Sequence, residues 1–167
     1  MRVMALVAAV ACTAPAAATV LQAFTLEELA ARSAVVVRGT VGASRAEWRG
    51  RVIHTLTDVT VDEVLAGPRP DSVRVVQLGG RVGRDIQPVE GVADLQPGDR
   101  VVLFLRAAPA PGEFHLAGMS QGRLRVGPGG ILSWQATAPV WDGTALRVSP
   151  ARTLTLDALR PLLRGRP

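Results

Sequence analysis

Lysine, asparagine and tyrosine are absent from the 167 residues, cysteine occurs once, and the aromatics are three Phe and three Trp. A single thiol rules out an internal disulfide, and with two histidines it leaves too few ligands for an all-protein zinc site. Past the N-terminal segment no apolar run approaches the roughly 18 residues needed to span a bilayer, which excludes a polytopic membrane protein. The basic side is all arginine, nineteen residues against fourteen acids, for a net charge of +5. Arg38, Arg45, Arg49, Arg51, Arg69, Arg74, Arg81, Arg84, Arg100, Arg106, Arg123 and Arg125 are interleaved with acids and apolar residues. They form no basic stripe and no run with stacking aromatics, so a solvated surface is expected and no nucleic-acid partner. What is abundant is apolar: 48% of the chain, enough for a core in one domain of this length.

The N-terminus reads as an address. Met1 and Arg2 supply a short positive region, residues 3–11 are continuously apolar, and Ala16-Ala17-Ala18 fits an A-x-A cleavage site before Thr19. A signal peptide over 1–18 and an exported, periplasmic or secreted protein follow as expectations. The competing process is lipidation at Cys12, which has the small Ala11 before it but Ala9 where Leu or Val is usual. After ordinary cleavage no thiol remains, in keeping with an oxidising compartment.

Residues 19–150 read as one β domain and 151–167 as a helical tail. Thr25-Leu26-Glu27-Glu28 is a capping box that predicts a helix over 26–32. β-Branched and alternating runs predict strands over 34–43, 52–64, 72–78, 89–93, 100–106, 114–117, 122–126 and 131–134. Gly79 to Gly83 reads as a flexible excursion, and Gln96-Pro97-Gly98-Asp99 as a tight turn. Arg100 to Arg106 is the most apolar run and is expected to be the central strand. Thr155 can cap a terminal helix over 156–164, weakened at Pro161. Short strands punctuated by Gly and Pro, without β-α-β alternation, predict a mainly β fold: a closed barrel or sandwich.

The run 34–41, the segment Val59-Thr60-Val61-Asp62-Glu63-Val64-Leu65-Ala66-Gly67 and the hairpin Pro97-Gly98-Asp99-Arg100-Val101-Val102-Leu103-Phe104-Leu105 carry a resemblance. Over about residues 26–121 the chain resembles a group of small exported bacterial proteins. It is also similar to the OB-like barrel of netrin and tissue-metalloprotease-inhibitor modules. The resemblance implies an OB-like closed β-barrel with a short N-terminal and a short C-terminal helix. Those modules carry paired cysteines, one of which chelates a protease's zinc. Apart from Cys12 this chain has none, so the fold is the part that transfers.

Candidate chemistry is sparse. Gly118-Met119-Ser120-Gln121-Gly122 matches the G-x-S-x-G of a nucleophile elbow, but no helix pattern and no histidine follow Ser120. The glycines suit a bulge or barrel corner instead. His54 and His115 stand alone in strands, and Glu27-Glu28 and Asp62-Glu63 are neighbours whose side chains diverge. Gly79-Gly80 carries no phosphate-loop lysine. Trp134 and Trp141 flank Pro139 and are expected to cover the barrel mouth. The expectation is therefore a non-enzymatic exported module with no catalytic, cofactor-binding or metal residue, binding another extracytoplasmic protein. The alternatives are an inhibitor or regulator of a secreted metalloprotease, and a small hydrolase using Ser120.

Overall fold

The structure, a computed structural model, describes residues 20–148 and 150–164. The expected signal peptide, its cleavage before Thr19 and the lipidation of Cys12 lie outside the described residues. Strand β1 (Leu21–Gln22) leads into helix α1 (Leu26–Ala31). The helix starts where the capping box is satisfied in both directions: Glu28 N–H donates to Thr25 Oγ1 at 3.1 Å and Thr25 N–H to Glu28 Oε2 at 2.8 Å. Two long strands, β2 (Val35–Arg49) and β3 (Val52–Ala66), then form an antiparallel hairpin, followed by β4 (Val73–Leu78).

The segment read as a flexible excursion is instead a small hairpin, β5 (Gly80–Val82) against β6 (Asp85–Gln87). It is fastened to β3 by Ile53 N–H donating to Gln87 Oε1 and Thr55 Oγ1 to the Gly79 carbonyl. The strand expected over 89–93 does not form. Its carbonyls are taken singly: Gly91 by Ser120 N–H, Val92 by Thr137 Oγ1 and Ala93 by Gln77 Nε2. One backbone N–H and two side chains thus satisfy a loop where a neighbouring strand would have satisfied a ladder.

Beyond the Gln96–Asp99 turn come β7 (Arg100–Ala107), β8 (Glu113–Leu116), a 3-10 turn (Met119–Gly122), β9 (Arg123–Val126) and a second such turn (Pro128–Gly130). β10 (Ile131–Trp134), β11 (Val140–Trp141), β12 (Leu146–Arg147), β13 (Arg152–Thr155) and α2 (Leu156–Arg164) complete the order. The fold is mainly β with two short helices. The large sheet runs β13-β10-β9-β7-β2-β3-β4-β8, and β8 also pairs with β7, so five strands pair in a circuit β7-β2-β3-β4-β8. All pairs in that circuit are antiparallel except β4–β8.

Two cores lie on opposite faces of β7. Val101, Leu103 and Leu105 pack with Val35, Val37, Val75 and Leu116. Val102 and Phe104 pack with Leu29, Leu124, Leu132, Leu159 and Leu163, so both helices lie on this face. Thr155 Oγ1 accepts from Ala158 N–H, and α2 continues through Pro161 because Leu159 and Leu163 are held in the core. Trp134 is buried with the helices, whereas Trp141 is exposed on β11.

Close approach of β2 and β3 depends on Gly39, at a register shift between the two strands. A Cβ there would lie 2.3 Å from the Thr60 carbonyl oxygen, with both partners fixed backbone. Gly39→Ala is expected to lower stability by about 1–3 kcal/mol through overpacking. Urea denaturation checks this, with Gly42→Ala, where the nearest atom is at 3.2 Å, as the milder companion.

Candidate functional site

β4 and β8 pair only through Arg74↔Glu113 and Val75↔Phe114. Past that point the strands part. β4 continues beside β3, with Leu56↔Val76 and His54↔Leu78, while β8 continues beside β7, with Arg106↔His115 and Leu105↔Leu116. The gap is a groove of about 430 Å³ whose lining includes both histidines, Arg106, Leu78, Val76 and Met119. Nothing along the chain signals that the two histidines converge, because the pairings that bring β3 and β8 near one another are remote in sequence.

Hydrogen bonds orient both rings. His115 Nδ1 lies 3.0 Å from the Val76 carbonyl oxygen, just past the last paired residue of β4, and His54 Nδ1 lies 3.3 Å from that of Val52. A carbonyl only accepts, so Nδ1 carries the hydrogen in both bonds. In that tautomer Nε2 of each ring carries no hydrogen and can accept. Arg106 is the one formally charged residue of the lining. Met119 contributes a strained backbone: with φ of +57°, it is the non-glycine residue with positive φ among the described residues. Strain of this kind is retained where the surroundings demand it, commonly at binding sites.

A set of ion pairs borders the groove. Glu113 receives Arg49 in a two-pronged contact, 2.6 Å at each oxygen, and Arg49 also reaches Glu47 at 2.9 Å. Asp58 holds Arg74 at 2.7 Å. The hydrogen bonds from Arg49 hold the Glu113 and Glu47 carboxyls below their ordinary range, and those same bonds, Glu113's foremost, raise the guanidinium of Arg49. Carboxylates committed in this way stay ionised and paired, so they fasten the β2–β3 hairpin to β8. Sequence reading missed this contact between residues 64 positions apart.

Ser120 is spent on structure. It is wholly buried, its Oγ accepts from Thr137 N–H at 3.0 Å, and its N–H donates to the Gly91 carbonyl at 2.9 Å. Neither histidine takes part in these bonds. The flanking glycines answer backbone needs: Gly118 is left-handed at φ +68°, and a Cβ on Gly122 would lie 2.3 Å from the Ala117 carbonyl oxygen. Gln121, which the sequence did not mark, binds Phe24 N–H through Oε1 and the Gln22 carbonyl through Nε2, tying β1 to the turn. Glu28 is committed to its cap, and Glu63 pairs with Arg38 and Arg160. Among the described residues no cluster of His, Cys, Asp and Glu could hold a metal ion, and no helix is long and apolar enough to cross a membrane. Compared with known proteins, the chain matches no family model, no curated protein and no solved structure.

Because Glu113 is depressed below its ordinary carboxylate value of 4.5 in the fold, its contribution is fully present above that value. It is lost as pH falls through the lowered value. Wild type is therefore expected to exceed Glu113→Gln by about 1–3 kcal/mol at neutral pH, with the gap closing on acidification below the ordinary carboxylate range. Urea midpoints of both proteins along a pH series check the sign.

Proposed function

We propose that the chain is an exported, non-enzymatic module built on an OB-like closed barrel, and that the groove between β4 and β8 receives a segment of another extracytoplasmic protein. The five-strand pairing circuit with one parallel pair supports the barrel reading, since five-stranded Greek-key closure is the OB arrangement. The observation that carries the binding reading is the composition of the groove. His54, His115, Arg106 and Gln77 line it together with Val76, Leu78, Leu116 and Met119. Apolar walls with a few convergent polar groups suit recognition. Hydrolysis through the G-x-S-x-G motif would need its serine held by a base, and Ser120 is buried and bonded elsewhere.

The arginines support a protein rather than a nucleic-acid partner. Arg38, Arg45, Arg49, Arg74, Arg125, Arg147 and Arg160 are each paired with a carboxylate, which breaks up any continuous basic stripe.

A photo-reactive amino acid at position 78, whose leucine is half exposed in the groove, tests the reading in the producing cells. A discrete protein adduct is expected from position 78, diminished when His54 and His115 are both replaced by alanine. The same probe at Ile131, equally exposed but outside the groove, is expected to give none. Equal adducts from both positions, or none from position 78, sink the proposal.

A further inference from the structure

Among the described residues eight large apolar side chains are exposed, and four of them, Val20, Trp141, Leu146 and Val148, lie in the three-stranded sheet β1-β11-β12 or directly beside its strands. Scattered singly such residues are ordinary, whereas a contiguous group marks a contact surface. Strand register joins the central pair. Trp141 stands opposite Leu146 across the β11–β12 ladder and opposite Gln22 on its other side, so these three side chains share one face. Leu21 and Val140 turn the other way, into a small core with Ala136 and Ala138. One side of the sheet is therefore packed, while Trp141 and Leu146 on the other side are about half exposed.

The hairpin that presents this pair is braced, and its one acid is consumed internally. Asp142 accepts from Thr144 Oγ1 at 2.7 Å, from Thr144 N–H and Ala145 N–H at 2.9 Å each, and from Arg147 Nε. Those bonds, the Thr144 hydroxyl's foremost, hold the carboxyl well below its ordinary range. No unpartnered carboxylate is left on the turn, which lowers the cost of bringing it against an apolar phase. Four partly covered side chains fall short of the roughly 800 Å² per partner that a stable protein interface buries, which argues against a second copy. A tryptophan among aliphatic residues suits a bilayer, where the ring sits at the headgroups and aliphatic groups reach the acyl boundary. The N-terminal segment joins the fold at this same place. Residues 12–19 link Val20 to the apolar run 3–11, and a link of that length reaches at most about 30 Å. A leader held in a membrane therefore keeps this face within that reach of it.

We propose that the exposed face of the β1-β11-β12 sheet docks on a lipid bilayer, with Trp141 at the headgroups and Leu146, Val20 and Val148 at the acyl boundary. The contact is peripheral, made by a few side chains on a rigid hairpin, and the net charge of +5 adds attraction to anionic lipid. The face shares no residue with the histidine groove, and lipid alone tests it, so either reading can fail without the other.

The test uses the full chain carrying Leu6→Asp, Val10→Asp and Cys12→Ser, so that the N-terminal run neither inserts nor is lipidated and no native thiol remains. A single cysteine bearing an environment-sensitive fluorophore is placed by Leu146→Cys or, for comparison, by Ile131→Cys, at a similarly exposed position on β10. Vesicles of phosphatidylcholine with one-quarter phosphatidylglycerol are then titrated in. The fluorophore at 146 is expected to brighten saturably and to be quenched by lipids brominated near the headgroup; the one at 131 is expected to do neither. Without labels, Trp141→Ser combined with Leu146→Ser should weaken cosedimentation with the same vesicles at least about tenfold, given the apolar area withdrawn. Equal responses at 146 and 131, or a double variant that sediments like its parent, overturn the proposal. So does a fluorophore at 146 that responds to protein concentration and not to vesicles, which assigns the face to a second copy. If the double variant fails to fold, the paired fluorophores decide alone.

Discussion

The strand β7 has to be apolar on both faces and paired on both edges, and most of the structure follows from that. Val101 to Leu105 are wholly inaccessible, and successive residues feed different cores. Burying each such Val, Leu or Phe is worth about 1.5–3 kcal/mol relative to exposure, so this one segment stabilises both layers. One edge is taken by β2 from Val35 to Thr40. The other is divided between β8, against Leu105 to Ala107, and β9, against Val101 to Leu103.

β8 and β9 run in the same direction along that edge, so they are in effect one strand interrupted opposite Phe104. Residues 117–122 leave the ladder there, with Ala117 N–H still donating to the Phe104 carbonyl at 2.8 Å. The interruption is an enlarged bulge, and like smaller ones it lets a strand change partners. Before it, the free edge of the strand meets β4; after it, the free edge meets β10. The pairing circuit and the extension of the sheet through β9, β10 and β13 therefore branch at one place. The groove with Met119 opens on one side of that branch.

This explains which features could be read along the chain. α1 announces itself because a capping box is local, with both bonds spanning three residues. β7 announces itself because burial on both faces produces an unbroken apolar run. The parallel β4–β8 contact leaves no periodic trace: it consists of two residue pairs, and the strands had already been formed by other partners. Gly118-Met119-Ser120-Gln121-Gly122 was legible as a motif, but its spacing is the same whether the serine is exposed for chemistry or buried as a bracket for Thr137. The run 89–93 has strand-like composition, yet Gln77, Ser120 and Thr137 take its carbonyls first. The convergence of His54 and His115 needed the sheet order, which no window of sequence contains.

Among the described residues, strain in a non-glycine backbone is concentrated at Met119. Glycine in place of Met119 would remove the penalty of a left-handed non-glycine backbone, of order 1–2 kcal/mol. That relief would leave β7 undisturbed, whose burial offsets the cost. Elsewhere among the described residues the opposite holds, and glycine occupies the other positive-φ positions. The segment that carries this strain is also the one where the sheet branches, so the cost is met at the interruption of the strand that runs beside β7.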